Sequence, residues 1–515
     1  MVIIPLMGAG YVLRPKVYPD PSELRLTIAW LSCTAVVFTF QPGPILFILM
    51  IVAILFALPR SATSWVPYLI LLLIVIPAET KWSVPFPGVN YLFNVNSTIV
   101  ILSVAGIAGL MRSEPKDEFQ YQDNNVGKAY WLFVVFTLLL GMRAPESFTN
   151  EIRSFIFYYL ETGVLFALAA RGLSRSESHK RFTQFLVLGC CFIAAAGLFS
   201  ALKGWDFYGH LQQGRFGLAS RGGVSRIGGQ FAETLLGVLM CTLAYTVFVY
   251  RKKVGLIVTA GWAAVAMLVL VATDSRAAVL AVILTGGAHF VLFKKSASAQ
   301  WSWGLLGVIV AVTGVVVISN LGFDQIDEYG TFDYRSRLIE TSIEKVRMAP
   351  IFGDPNYATH PMFEPLRQGQ GIIDFVNVYV QVVLEFGLAG LLIVLVIPIM
   401  AIFKVMGRAN ALAELDDERS AEYSVYGRWL CVLLSVHMVT MATISAVSYV
   451  FEYFIILCAA CQGFLWMVER HLAQLNDAPA PVEAPEPQPR LPDEDEQVFD
   501  PFGQGVYVAR QDLST

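Results

Sequence analysis

The feature that most limits what this chain can become is the recurrence of long apolar runs. A helix needs about 20 predominantly apolar residues to cross a bilayer. Such runs occur at approximately 25–41, 44–58, 64–79, 96–112, 129–143, 153–171, 183–203, 228–250, 255–273, 275–294, 302–320, 375–404, 427–446 and 448–468. The second is short, and the first pair meets at Gln41-Pro42-Gly43-Pro44, a sequence also compatible with a broken or re-entrant hairpin. The pattern therefore predicts an all-α polytopic membrane protein with twelve to fourteen transmembrane helices over residues 25–472. Composition agrees: 56% of residues are hydrophobic and 15% charged, against about 25% charged in soluble domains. A soluble enzyme, a disordered chain and a nucleic-acid binder are excluded, and a net charge of −4 gives no global attraction for polyanions.

Lys and Arg in short loops set membrane orientation. Arg171 to Arg181, Arg251-Lys252-Lys253 and Lys294-Lys295 are basic turns expected in the cytoplasm. Counting outward from them puts both termini inside, with loops 113–128 and 405–426. Loops 204–227 and 321–374 fall outside. The segment 1–24 reads as a cytoplasmic N-terminal stretch without a signal peptide, so the first span is expected to do the targeting. Residues 473–515 read as a disordered Pro-rich, acidic cytoplasmic tail, whose sharper reading is a docking segment for a cytoplasmic partner. The seven Cys all fall in apolar stretches with no zinc or redox spacing.

The predicted outer face is unusually rich in Arg. Arg215, Arg221 and Arg226 share one loop, Arg276 sits in the Thr273-Asp274-Ser275-Arg276 turn, and Arg335, Arg337, Arg347 and Arg367 share the largest loop. Arg143 and Arg153 bracket another, where Glu146 and Glu151 are available as local partners. Arg binds phosphate with a planar, permanently charged fork, so an anionic ligand at the outer face is the simplest account. Arg226, Gln230 and Glu233 at i, i+4 and i+7 predict one polar helix face, and Asn377, Gln381 and Glu385 at i, i+4 and i+8 predict another. Polar groups at membrane depth usually face a bundle interior or a wet cavity; two stripes near the outer end predict one cavity opening outward, with interhelical hydrogen bonding the plainer alternative. Tyr334 to Met348 reads as an amphipathic helix with Leu338, Ile339, Ile343 and Val346 on its apolar side, able to cover the cavity, and Gly369 and Gly371 as a hinge into the next span.

The order of four segments resembles the O-antigen ligase and polysaccharide polymerase superfamily. They are Arg226-Ile227-Gly228-Gly229-Gln230-Phe231-Ala232; Asp274-Ser275-Arg276-Ala277-Ala278; Arg337-Leu338-Ile339 through Pro350-Ile351-Phe352-Gly353; and Asn377-Val378-Tyr379 through Glu385-Phe386-Gly387-Leu388-Ala389-Gly390-Leu391. The similarity covers roughly residues 210–405. It implies a many-helix glycosyltransferase of the GT-C kind, with a periplasmic loop at 321–374 containing short helices. It also implies a polyprenyl diphosphate-linked glycan donor, a saccharide acceptor, no metal or cofactor, and a place in the bacterial inner membrane, with a chain-length regulator or export partner as the candidate partner of the tail. Ligases of this superfamily carry His directly before the Asn matched by Asn377; here that position is Val376, and Ala277 replaces the Gly after Arg276. On this reading Arg226, Arg276 and Arg337 stabilise the diphosphate leaving group, with Arg215, Arg221, Arg335, Gln230, Glu233, Asn377, Gln381 and Glu385 binding substrate. Asp374, Glu364 and His360 are the candidate bases. A lipid-linked oligosaccharide flippase is the alternative from another class; no internal repeat of the transporter kind supports it.

Overall fold

The computed structural model describes residues 32, 34–37, 39–40, 43–57, 62–76, 81–86, 89–111, 123–143, 148–175, 177–208, 218–221, 224–228, 231, 233–294, 331–367, 373–445 and 449–477. The N-terminal segment 1–24, the span at 302–320, the Gly369/Gly371 hinge and all but the first residues of the acidic tail lie outside the described residues.

Helices α1 (Pro44–Ala57), α2 (Ala62–Val75), α3 (Ser97–Met111) and α4 (Asn125–Gly141) come first. Phe148–Tyr159 (α5) continues through a π-helical turn, Leu160–Val164, into Leu165–Gly172 (α6). Then follow α7 (Ser178–Lys203), α8 (Glu233–Val249), α9 (Leu256–Ala272), α10 (Arg276–Leu292), α11 (Thr331–Met348), α12 (Val378–Ala413), α13 (Glu418–Met441) and α14 (Val450–Asp477). Among the described residues five helical stretches are long and apolar enough to cross a membrane unaided, and six shorter apolar helices accompany them. The protein is an all-α, multi-pass membrane protein. Among the described residues its small additions are two antiparallel hairpins the apolar pattern did not predict: Lys81–Phe86 with Val89–Asn96 (β1, β2), and Ala219–Arg221 with Val224–Arg226 (β3, β4).

Apolar surface is arranged for lipid rather than water. On α12, Leu388, Leu392, Val396, Ile399 and Phe403 are exposed at spacings of three and four, a single stripe on one helix face. On α4, Leu132, Val135 and Leu139 do the same. By contrast, α14 is buried nearly all round from Tyr453 to Leu465, and α13 buries Trp429 to Leu434; these two form the bundle centre, as expected of helices apolar on every face. Polar residues inside are satisfied locally: Gln462 accepts from the Gly127 N–H at 2.8 Å and donates to the Asp123 carbonyl at 2.9 Å. The Trp429 indole donates to Thr246 Oγ1 at 3.1 Å.

The chain divides into two compact units, residues 1–471 and 472–515. Of the second, residues 472–477 are described and complete α14.

The large loop between α10 and α12 has its own small core. Leu338 on α11 is buried with Tyr357, Phe363, Leu366, Phe375 and Leu384. Val346 packs against the same group, whereas Ile339 and Ile343 are about half exposed. The predicted apolar face of α11 is thus split between an inward side and an outward side.

Candidate functional site

Helix α8 and helix α10 cross closely because both are small at the contact: a Cβ added to Gly237 would lie 2.2 Å from the Ala278 Cβ. This brings Thr234 Oγ1 to 3.0 Å from Ser275 Oγ. Ser275 is the cap of α10, its hydroxyl accepting from the Ala278 N–H at 3.4 Å, and Asp274 before it adopts φ +48°. Asp tolerates this left-handed conformation better than most residues. The cap turns the N-terminus of a 17-residue helix towards a cavity of about 250 Å³, lined by Arg226, Thr234, Asp274, Ser275, Arg276, Ala277, Leu280, Arg335 and Thr443. The positive end of the helix dipole and three guanidinium groups therefore meet one space.

The three arginines are not equivalent. Arg226 is held from several sides: Nε donates to the Thr273 carbonyl at 3.3 Å, Nη2 to the Asp274 carbonyl at 3.4 Å, and Nη1 lies 3.7 Å from Glu233 Oε1. Its charge is largely spent on tying the β3–β4 hairpin to the α9–α10 turn, a tie reinforced by the Ile227 N–H donating to the Ala272 carbonyl. Arg335, half-buried on α11, donates from Nη2 to the Thr443 carbonyl at 3.4 Å. Arg276, at the first position of α10, is exposed to the cavity and makes no hydrogen bond or ion pair with a described residue.

The sequence-predicted residues separate accordingly. Arg226 and Glu233 come together, but not as a helical stripe: Arg226 lies in β4 and the helix begins at Glu233. Arg221 is in β3; Arg215 and Gln230 lie outside the described residues. Arg337 does not line the cavity. It is exposed and pairs with Asp333 one turn back on α11, so Arg335, two residues earlier, occupies the place expected of it. His360 caps a 3₁₀ turn, Pro361–Leu366, its Nδ1 accepting from the Met362 N–H at 3.4 Å. Asn377 is the cap of α12, accepting from the Tyr379 and Val380 N–H groups at 2.9 and 3.2 Å, and Gln381 bonds the Tyr357 hydroxyl. These two sit in structural roles and do not line the cavity.

Asp374 is held in place from two directions. Ser445, in the connection between α13 and α14, donates to its Oδ1, and the Tyr334 hydroxyl both donates to its carbonyl and accepts from its N–H at 3.0 Å. Tyr334 adjoins Arg335, and Ser445 lies two residues from Thr443, so the elements that line the cavity also fix this carboxylate.

Beside the site, α12 is broken at Gly387, where φ is +70° and ψ −171°. A broken helix in lipid leaves backbone groups that each cost several kcal/mol if unpaired. The Pro350–Gly353 turn supplies the partners. The Leu388 N–H donates to the Pro350 carbonyl at 2.8 Å, the Ala389 N–H to Ile351 at 3.1 Å, and the Asp354 N–H to the Leu384 carbonyl at 2.7 Å. Arg143 completes this clasp, donating to the Phe352, Gly353 and Glu385 carbonyls at 2.8, 3.3 and 3.3 Å. Sequence reasoning set Arg143 aside as one side of a local ion pair; its partners are main-chain carbonyls, which no charge pattern announces. The Glu385 carbonyl, rather than a polar stripe, ties that residue to the clasp. Lys345, almost fully buried, reaches Asp354 at 2.6 Å, and that hydrogen bond, aided by the Asn356 N–H and by His360, holds the Asp354 carboxyl below its ordinary range.

At the far end of α8 one carboxylate gathers partners from separate loops. Glu422 receives Lys253 at 2.6 Å, Lys180 at 3.6 Å and His179 at 3.7 Å. Three loops predicted on one membrane side thus meet there, about 25 Å along a 17-residue helix from Thr234.

No curated protein matches the chain. Residues 259–395 match the family model described as O-antigen ligase. The matched stretch runs from α9 through the Ser275–Arg276 turn, α11, Asp374 and the Gly353–Gly387 clasp into α12, leaving Arg226 upstream. The cavity-lining turn and the broken helix both lie inside the stretch that is similar to the O-antigen ligase family.

Proposed function

We propose that this protein is a polysaccharide polymerase. It transfers a glycan from polyprenyl diphosphate to a lipid-linked repeat unit at the periplasmic face of the bacterial inner membrane, with both termini cytoplasmic. The observation that carries this reading is the cavity where Arg226, Arg276, Arg335 and the N-terminus of α10 converge. Cleaving the glycosidic bond leaves negative charge on the departing diphosphate oxygen, and preorganised positive groups aimed at that charge lower the barrier. Arg276, which pairs with no described residue, is the group that does so. Arg226 positions the turn that carries Arg276, and Arg335 adds charge from the opposite wall.

The acceptor hydroxyl oxygen attacks the anomeric carbon as the carbon–oxygen bond to the diphosphate breaks, inverting that centre. The hydroxyl proton passes to Asp374, oriented by Ser445 and Tyr334 and still holding a second carboxylate oxygen. Val376 stands where ligases carry His, so the base comes from a neighbouring position. The ligase reading, in which the acceptor is lipid A core, is favoured by the description of the matching family; the Val376 replacement weighs against it.

The test is the size of lipid-linked glycans in a strain lacking the protein. Single repeat units on the lipid with long chains absent are expected. Long chains still attached to the lipid would replace this reading with ligation, and units trapped on the cytoplasmic side would replace it with transport.

A further inference from the structure

At the end of the bundle opposite the cavity, Arg428 stands apart from the paired lysines among the described residues. Lys404 pairs with Asp123 at 2.6 Å and Lys253 with Glu422 at 2.6 Å. Arg428, on α13, has no carboxylate among the described residues. It is 7% exposed. Its Nη2 donates to the neutral Asn410 Oδ1 of α12 at 3.1 Å, and its buried Nε has no hydrogen-bond partner. Its guanidinium lies 6.0 Å from the centre of the Phe293 ring, which closes α10. A buried charge without a counter-charge costs several kcal/mol. The carbonyl end of α10 offers the equivalent of only about half a charge, and the stretch 295–320 that follows contains no Asp or Glu.

The surroundings indicate what supplies the anion. A run of rings leads outward from Arg428: Phe293 lies 4.3 Å from His289, and His289 5.4 Å from Phe248. Arg251 stacks over Phe248 at 4.6 Å and Lys294 over Phe290 at 4.1 Å. Phe248 and Phe290 are 42% and 48% exposed, an apolar flank suited to acyl chains. Cations beside exposed rings at a helix end form a surface for a lipid headgroup rather than for a free ion.

We propose that Arg428, Asn410 and Phe293 form a binding site for an anionic phospholipid. Its phosphate sits between α10, α12 and α13, and Arg251 and Lys294 form the rim. The full-length protein is purified into mixtures of phosphatidylglycerol and phosphatidylcholine, and the retained lipids are counted by native mass spectrometry. Wild type is expected to retain phosphatidylglycerol selectively. Arg428→Gln is expected to reduce that selectivity about fivefold, and Lys252→Gln, which removes an exposed charge at the same end, to leave it unchanged. Equal retention of the two lipids by wild type overturns the site, as does undiminished selectivity in Arg428→Gln. Full displacement of phosphatidylglycerol by an equal concentration of inorganic phosphate overturns the lipid assignment. Should Arg428→Gln fail to fold, Asn410→Ala is expected to weaken selectivity by a smaller factor, and unchanged selectivity there counts against the proposal.

Discussion

The two ends of helix α8 carry similar charges in opposite arrangements. At the Val249 end one carboxylate, Glu422, gathers Lys253, Lys180 and His179 from separate loops. At the Glu233 end three arginines face one cavity; Arg226 is engaged by Glu233 and two carbonyls, whereas Arg276 has no protein partner among the described residues. Positive charge gathered around a carboxylate holds loops together. Positive charge left open at a helix N-terminus is available to something that is not protein. The difference separates architecture from chemistry more sharply than the count of arginines does.

The most direct way to break that contrast is at Arg276. Arg276→Ala is expected to reduce polymer formation by about 10²–10³-fold while thermal unfolding stays near wild type, because the side chain makes no hydrogen bond or ion pair with a described residue. Arg276→Lys is expected to fall nearly as far, since a point charge does not reproduce the fork. Normal polymer yield from the Lys variant would remove the diphosphate assignment.

The clasp between cavity and lipid is the next largest. Gly387 sits at φ +70°, and a Cβ there would lie 2.2 Å from the Ile351 carbonyl oxygen. Gly387→Ala is expected to destabilise the protein by about 2 kcal/mol or more, read as a lower unfolding temperature in detergent, with new protease cleavage near Ile351–Pro355. Arg143→Gln, which weakens hydrogen bonds but adds no clash, should shift the same readouts by about 1–2 kcal/mol. An unchanged Gly387→Ala protein would mean that the turn does not dock in the break.

How much of this was legible in the sequence depends on whether a residue acts through period and charge or through the main chain. Hydropathy located α7, α8, α9 and α10 to within about five residues, because lipid-facing and buried helices differ little in composition. Basic loops predicted on one side do meet, at Glu422. The Arg276 turn was legible because an Arg at a helix entrance opposes the usual charge bias. Arg337 was preferred over Arg335 because spacing along α11 does not reveal which face turns inward; the split apolar face of Leu338 and Ile339 decides that, and it depends on the small core around Phe375. Arg143 and the Gly387 break were illegible for a shared reason: their partners are carbonyls and N–H groups that every residue possesses.

At the paired end, Glu422→Gln tests the other half of the comparison. Removing the carboxylate that holds Lys253, Lys180 and His179 should cost no more than about 1 kcal/mol, since the lysines remain partly in solvent, and should leave polymer formation unchanged. Loss of activity without loss of stability would move chemistry to this end and collapse the distinction.

The smallest effect lies in the acid response of the clasp. Asp354 has its carboxyl pushed below the ordinary value of 3.8, chiefly by the hydrogen bond from Lys345. A carboxyl with a depressed folded-state pKa contributes stability that is fully present above its ordinary value and is lost as pH falls through the depressed one. Hydrogen-exchange protection of the Leu388 and Ala389 N–H groups should therefore hold steady down to about pH 4 and decline only below it. Asp354→Asn should start with lower protection at neutral pH and lack that component of the decline, because no proton remains to be taken up at this position. A variant whose acid profile parallels wild type throughout would show that Lys345 and Asp354 sit beside the clasp without holding it.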